Sequence, residues 1–288
     1  MSVAGRSVEH VAGVDVRITR AEGKPLLLLI RMASGGMGIW DSIWNDLARD
    51  YTVANFDLVG AAQLSTELSP RQRFLRLADR NVEVATALGF DSFHVFGWYG
   101  GAHVALACMH AHRDRVRSAL LLDPFFELPD PRKLEKAVAF KRRLFESDDR
   151  TLYAYYWVMA GFSPRFLETR FDVVDRLVEA RIAADKFVSL DPQRWLRWVR
   201  ALRSNWLTAS ELAVMDIPTL VLATELDSWH AGPTVGMAEA LVARLPAAQL
   251  ATIGGHGTFF FIENPALLHQ HAGEFLAASA RAAAGASR

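Results

Sequence analysis

Three short segments of this chain carry chemically capable side chains, the first and last of them among glycines: Gly97-Trp98-Tyr99-Gly100-Gly101, Thr224-Glu225-Leu226-Asp227-Ser228 and Gly254-Gly255-His256-Gly257. Glycines on both sides of a central residue fit a sharp strand-to-helix turn, which would hold Tyr99 in a strained conformation and project it into a site. An ordinary glycine-rich connection has the same composition. Asp227 and His256 can pair, the carboxylate fixing the imidazole tautomer and stabilising its protonated form. Glycines around His256 imply backbone packed closely about a functional ring, where a surface-loop histidine would need none.

A tyrosine at the central position limits the chemistry. With an ordinary pKa of about 10, only ~0.1% of a phenol is ionised at neutral pH. Its oxygen also sits several ångströms deeper than a serine hydroxyl, so an oxyanion hole using the Gly100 amide would be misplaced for an attacked carbonyl. Tyr99 suits hydrogen-bond donation or general acid work better than covalent attack.

Other residues have narrower claims. Asp123, ending the run Arg117 to Leu122, is an alternative acid, although Asp-Pro is also an ordinary strand terminus. His103 lies four residues after Tyr99 and reads mainly as a packed helix histidine. Arg31 and Ser34 follow an apolar run, where Arg31 would bind an anionic group and Ser34 would donate a hydrogen bond. His110 with His112, and His269 with His271, are two residues apart, so on a helix each pair points apart and chelates no metal. Cys108 reads as a small core residue. No phosphate-binding loop is present, the glycines at 35–38 make no dinucleotide fingerprint, and the chemistry needs no cofactor.

The elements that must position these residues alternate. Leu26–Ile30, Tyr51–Phe56, Phe93–Phe96, Arg117–Leu122, Pro218–Ala223 and Ala248–Ile253 read as short buried strands. Helical patterns run from Trp40 to Leu47, from Pro70 to Leu88, from Ala102 to His112, from Thr234 to Leu245 and from Pro265 to Ala278. Such alternation predicts an α/β fold with a mostly parallel, doubly wound sheet, and ligands there sit at the carboxyl ends of the strands. Val8 to Thr19 alternates loosely and fits a sheet edge. Residues 129–214 are helical and rich in aromatics, including Phe140, Phe145, Tyr153, Tyr155, Tyr156, Trp157, Trp195, Trp198 and Trp206. They predict an inserted helical lid on a core made of 1–128 and 215–288. A helical subdomain with its own core is the plainer account.

The three loops, in this order, resemble the α/β-hydrolase superfamily from about Val8 to Phe275. Phe56-Asp57-Leu58-Val59-Gly60 is similar to that family's Asp-x-Arg-Gly loop, and His256-Gly257 with Glu263-Asn264-Pro265 to its histidine segment. The resemblance implies an elbow at Tyr99, an acid at Asp227 and a histidine at His256. The departures are specific. Tyr99 stands where the family has Ser, Asp or Cys, Arg31-Met32 where it has His-Gly, Val59 where Arg is usual and Ala62 where a second Gly is usual. Three readings follow. In a non-hydrolytic enzyme (a lyase, isomerase, cyclase or cofactor-free oxygenase), His256 oriented by Asp227 is the base, and Tyr99 with the Gly100 amide stabilises an enolate or oxyanion. In a hydrolase, His256 activates water. In a binding protein, the pocket survives without catalysis. Trp98 and the lid aromatics point to a small apolar or aromatic substrate bearing a carbonyl or hydroxyl.

Composition excludes other classes. The chain has 288 residues, 51% hydrophobic and 22% charged, enough to bury a core. Its 32 basic residues balance 32 acidic ones, which gives no nucleic-acid-binding surface. One cysteine allows no intrachain disulfide framework, and the longest apolar run, Leu152 to Ala160, is too short to span a membrane. The N-terminus lacks a signal-peptide core, so a soluble cytoplasmic protein is expected. Exposed apolar lid surface would serve a homodimer as well as a pocket.

Overall fold

Leu26 to Ile30 is apolar at every position, and such a run must be covered on both faces. In the computed structural model it forms β3 (Leu26–Arg31), inside an eight-stranded sheet of order β1-β2-β4-β3-β5-β6-β7-β8. The structure describes residues 5–31, 37–58, 68–124, 139–140, 142–144, 146–147, 149–183, 206–227 and 234–286. The strands β4 (Thr52–Phe56), β5 (Phe93–Trp98), β6 (Val116–Leu122), β7 (Thr219–Thr224) and β8 (Ala248–Ile253) run parallel with β3.

The single edge segment expected over Val8 to Thr19 is two strands, β1 (Ser7–Val11) and β2 (Val14–Thr19), paired antiparallel, with β2 antiparallel to β4. Ala12 and Gly13 both take positive φ, 52° and 72°, which is the two-residue turn that folds a strand back on itself. Strands β3, β5 and β7 also run one or two residues beyond their apolar runs. That extension places Arg31 beside Trp98 in the sheet register.

Helices cover both faces. After the α1 helix (Asp41–Leu47), α2 (Pro70–Ala87) opens with a capping box, Ser69 and Gln72 bonding each other's backbone amides, and with Pro70 in its first turn. It ends at Gly89, whose φ of 91° an L side chain rarely adopts. The α3 helix (Gly100–Ala111) follows β5, and both are buried throughout most of their length. Between β6 and β7 the described residues form α4 (Arg150–Met159), α5 (Pro164–Thr169), α6 (Phe171–Ala183) and α7 (Ala209–Ala213). The chain closes with α8 (Thr234–Val242), α9 (Phe260–Glu263) and α10 (Pro265–Ala286).

Two hydrophobic cores result, one on each face. One joins α2 and α3 to the sheet through Phe74, Leu77, Val104 and Leu106. The other gathers Trp40, Trp44, Phe96, Trp98 and Phe259 to Phe261 with Ala154, Val158, Val174 and Val178 of the insertion. Among the described residues, no helix is long and apolar enough to cross a membrane.

Candidate active site at the carboxyl end of the sheet

Tyr99 leaves β5 and caps α3 with φ 55° and ψ −118°, a conformation costing a non-glycine residue about 1–3 kcal/mol. The surroundings enforce it. The Tyr99 amide donates to the Leu122 carbonyl at 2.9 Å, and its own carbonyl accepts from Ala102 at 2.9 Å. A Cβ at Gly97 would lie 2.4 Å from the Gly101 carbonyl oxygen, and one at Gly101 would lie 2.1 Å from that of Ile30. Both glycines are therefore needed for the helix to start this close to the sheet. Gly100 is the first residue of α3, where amides have no partner within the helix.

The Tyr99 hydroxyl is enclosed. Burial above all, then the charges of Asp227 and Asp123, hold the phenol protonated well above its ordinary range. Thr258 acts on the same oxygen in the opposite sense. Thr258 had no signal in sequence, since a threonine two residues after a histidine looks unremarkable. It is fully buried and its hydroxyl accepts from Trp98 Nε1 at 2.9 Å, tying the histidine loop to the elbow.

Asp123 and Asp227 are both buried. Asp123 also takes positive φ, 45°, and its carboxylate collects donors from the neighbouring strand end. The Thr224 amide donates at 2.7 Å, the Thr224 hydroxyl at 3.0 Å and the Thr234 hydroxyl at 3.0 Å. Burial nevertheless pushes its pKa up, with these donors and Thr258 opposing. Asp227 follows β7, and its charge acts on the Tyr99 phenol.

The structure does not bring His256 onto Asp227. Among the described residues the ring makes one hydrogen bond, from Nδ1 to the Gly254 carbonyl at 2.7 Å, so the expected His256–Asp227 pair is absent. A carbonyl only accepts, so Nδ1 carries the proton and Nε2 is the basic nitrogen. The two loops are still knitted together by other hydrogen bonds. Leu226 N donates to the His256 carbonyl at 3.0 Å, and Gly255 N donates to the Glu225 carboxylate at 2.8 Å. Of the glycines around His256, Gly255 takes φ 69°, and a Cβ at Gly257 would lie 2.5 Å from the Gly161 carbonyl oxygen.

That close approach ties the segment around Gly161 to the histidine loop. Phe259 N donates to the Gly161 carbonyl at 2.8 Å, and the amide and hydroxyl of Ser163 donate to the Glu263 carboxylate at 2.7 and 2.6 Å. Trp98 is buried among Tyr99, Trp157 and Phe259, with ring centroids 5.7, 6.5 and 5.5 Å away. Arg31 ends β3 next to Trp98. Burial lowers its guanidinium to about 10, and the charge of Asp57 works the other way. Ser34, the loop 32–36, Val59 to Ala62, Phe145, Trp195, Trp198 and Ser228 lie outside the described residues.

The remaining candidates are engaged elsewhere. His103 is buried, stacks on Phe74 at 5.3 Å and accepts from Trp206 Nε1 at 3.1 Å. His110 meets Arg71 and Glu211, while His112 bonds Asp79. Cys108 is buried, which pushes its thiol far up.

A family model described as alpha/beta hydrolase fold matches residues 25–265, and the chain belongs to that family. No curated protein matches the chain. Among solved structures it is similar to MGS-M2, an alpha/beta hydrolase enzyme from a Medee basin deep-sea metagenome library. The identity is 14%, over 94% of this chain and 97% of that one, with a TM-score of 0.74. A variant of the meta-cleavage product hydrolase CumD from Pseudomonas fluorescens IP01 aligns at 19% identity, over 95% and 98%, with a TM-score of 0.72. A thermophilic esterase from Thermogutta terrifontis aligns at 18%, over 96% and 99%, with a TM-score of 0.69. At these identities the likeness is one of fold.

Proposed function

We propose that this protein is an enzyme acting on a small, largely apolar or aromatic carbonyl or hydroxyl compound by acid–base chemistry, with no acyl-enzyme formed at the elbow. The observation that carries this reading is the burial of the Tyr99 hydroxyl at the elbow. A nucleophile there would have to release a proton that burial and two carboxylates hold in place. His256 is the general base, acting through Nε2. The Gly254 carbonyl, rather than Asp227, sets its tautomer. Asp227 instead anchors the Tyr99 phenol. Trp98 forms the apolar wall, the Gly100 amide and Arg31 face negative charge developing on the substrate oxygen, and residues 129–214 serve as the lid. No cofactor is required.

Hydrolysis by His256-activated water is a second reading, favoured by the structural neighbours, a meta-cleavage product hydrolase and an esterase among them. One experiment separates the readings. Wild type and His256→Ala are incubated with a short-chain aryl ester, and in D2O with an aryl methyl ketone, while intact mass is followed. Deuterium entering the ketone's methyl group in a His256-dependent way is the expected result. Loss of His256 should cost about a hundredfold or more, the usual contribution of a positioned base. His256-dependent ester cleavage without an adduct selects the hydrolytic reading. An acyl mass on Tyr99, or turnover that survives His256→Ala, overturns the proposal.

A further inference from the structure

Tyr155, Tyr156 and Trp157 follow one another on α4, and successive residues of a helix point about 100° apart. Two of the three are accounted for. Tyr155 donates to the Asp175 carboxylate at 2.8 Å and stacks on Phe171, inside the insertion. Trp157 reaches the sheet side, 5.3 Å from Phe259 and 6.5 Å from Trp98.

These contacts fix the rotation of α4. Ala154 and Val158 are buried with Val174 and Val178 in the insertion's own packing, so Tyr156 falls on the opposite face. On one side of it the helix surface is open, with Leu152 50% and Met159 36% exposed. On the other side is Trp157 with the elbow aromatics. Tyr156 is half-buried at this boundary, with the Phe140 ring 5.3 Å away edge-on. Among the described residues its hydroxyl has no hydrogen bond. Burial raises its phenol, and the charge of Asp227 adds to the effect. Tyr99, by contrast, has its hydroxyl enclosed against that carboxylate. The phenol at the rim, and not the one at the elbow, is free to meet a ligand.

We propose that Tyr156 is a substrate-binding residue whose hydroxyl donates a hydrogen bond to a carbonyl or hydroxyl oxygen of the ligand seated between the insertion and the sheet. This rests on the small-molecule reading above and names the donor that recognises the ligand's oxygen.

The test uses acetophenone and ethylbenzene, which share an aromatic ring and differ in the carbonyl oxygen. Affinities are measured by tryptophan-fluorescence quenching for wild type, Tyr156→Phe and Tyr155→Phe. Tyr156→Phe keeps the ring, so packing is preserved. We expect it to weaken acetophenone about tenfold, the scale of a net hydrogen bond, and to leave ethylbenzene and the Tyr155→Phe control unchanged. Equal acetophenone affinity in wild type and Tyr156→Phe overturns the assignment, as does equal weakening of both ligands. If wild type binds neither compound, the small-molecule reading itself fails, and the Tyr156 proposal with it.

Discussion

Replacing Gly101 by Ala adds one methyl group at the point where α3 comes closest to the sheet. Its Cβ would lie 2.1 Å from the Ile30 carbonyl oxygen and 2.7 Å from that carbonyl carbon, where ordinary contact begins at 3.4 Å. The obstacle is backbone, so no rotamer change relieves it, and helix and strand must part by roughly an ångström. Ala102 to Met109 are all buried, so α3 cannot retreat without loosening the packing between α2, α3 and β3. Overpacking of this kind costs about 3 kcal/mol at the upper end of its usual range. Helix propensity returns about 1 kcal/mol. The net loss of about 2 kcal/mol corresponds to about 3–4 °C in Tm for a chain of 288 residues. Gly273 supplies the control. It lies in α10 with nothing within 4 Å of a Cβ, so Gly273→Ala keeps only the propensity gain and should raise stability by about 0.5–1 kcal/mol. Thermal and urea unfolding of both variants read the two signs directly. A Gly101→Ala protein as stable as wild type, with Gly273→Ala behaving as expected, would refute the claim that close backbone approach dictates the elbow.

Two further outcomes follow from buried polar groups. His94 is buried against the Ser118 hydroxyl at 2.7 Å, and burial, with the nearby charge of Arg117, lowers its pKa to about 4 from the ordinary 6.5. Between those values the unfolded chain binds a proton that the folded one refuses, so stability falls as pH drops through this window, by up to about 3 kcal/mol. The pH slope of unfolding should shrink in His94→Phe, and equal slopes would contradict the assignment. For Asp123→Asn, an amide nitrogen replaces one of two acceptor oxygens that take bonds from Thr224 and Thr234. This should cost about 2 kcal/mol in urea unfolding. Unchanged stability would mean that the group is already a neutral acid in the fold.

Much of the architecture was legible in the residues themselves. Apolar runs such as Leu26 to Ile30 can be satisfied only in a sheet covered on both faces, and the glycines of the elbow announce a turn with no room for a Cβ. The order of elbow, acid and histidine loops likewise pointed to the alpha/beta hydrolase fold. The edge was harder, because the turn at Ala12-Gly13 splits what reads as one loosely alternating segment. Side-chain pairing was out of reach. Asp227 and His256 lie on adjacent loops, and sequence offers no reason for them to avoid each other. Only in three dimensions does the charge of Asp227 act on the Tyr99 phenol while the Gly254 carbonyl accepts from the His256 ring. Thr258 was equally hidden, since a hydroxyl acquires its meaning from what the fold sets opposite it. The sequence by itself determined the strands, the helices and the strained turn, because these follow from periodicity and sterics within a few residues. The tertiary structure alone decided which acid meets which proton, because that depends on distances between segments more than a hundred residues apart.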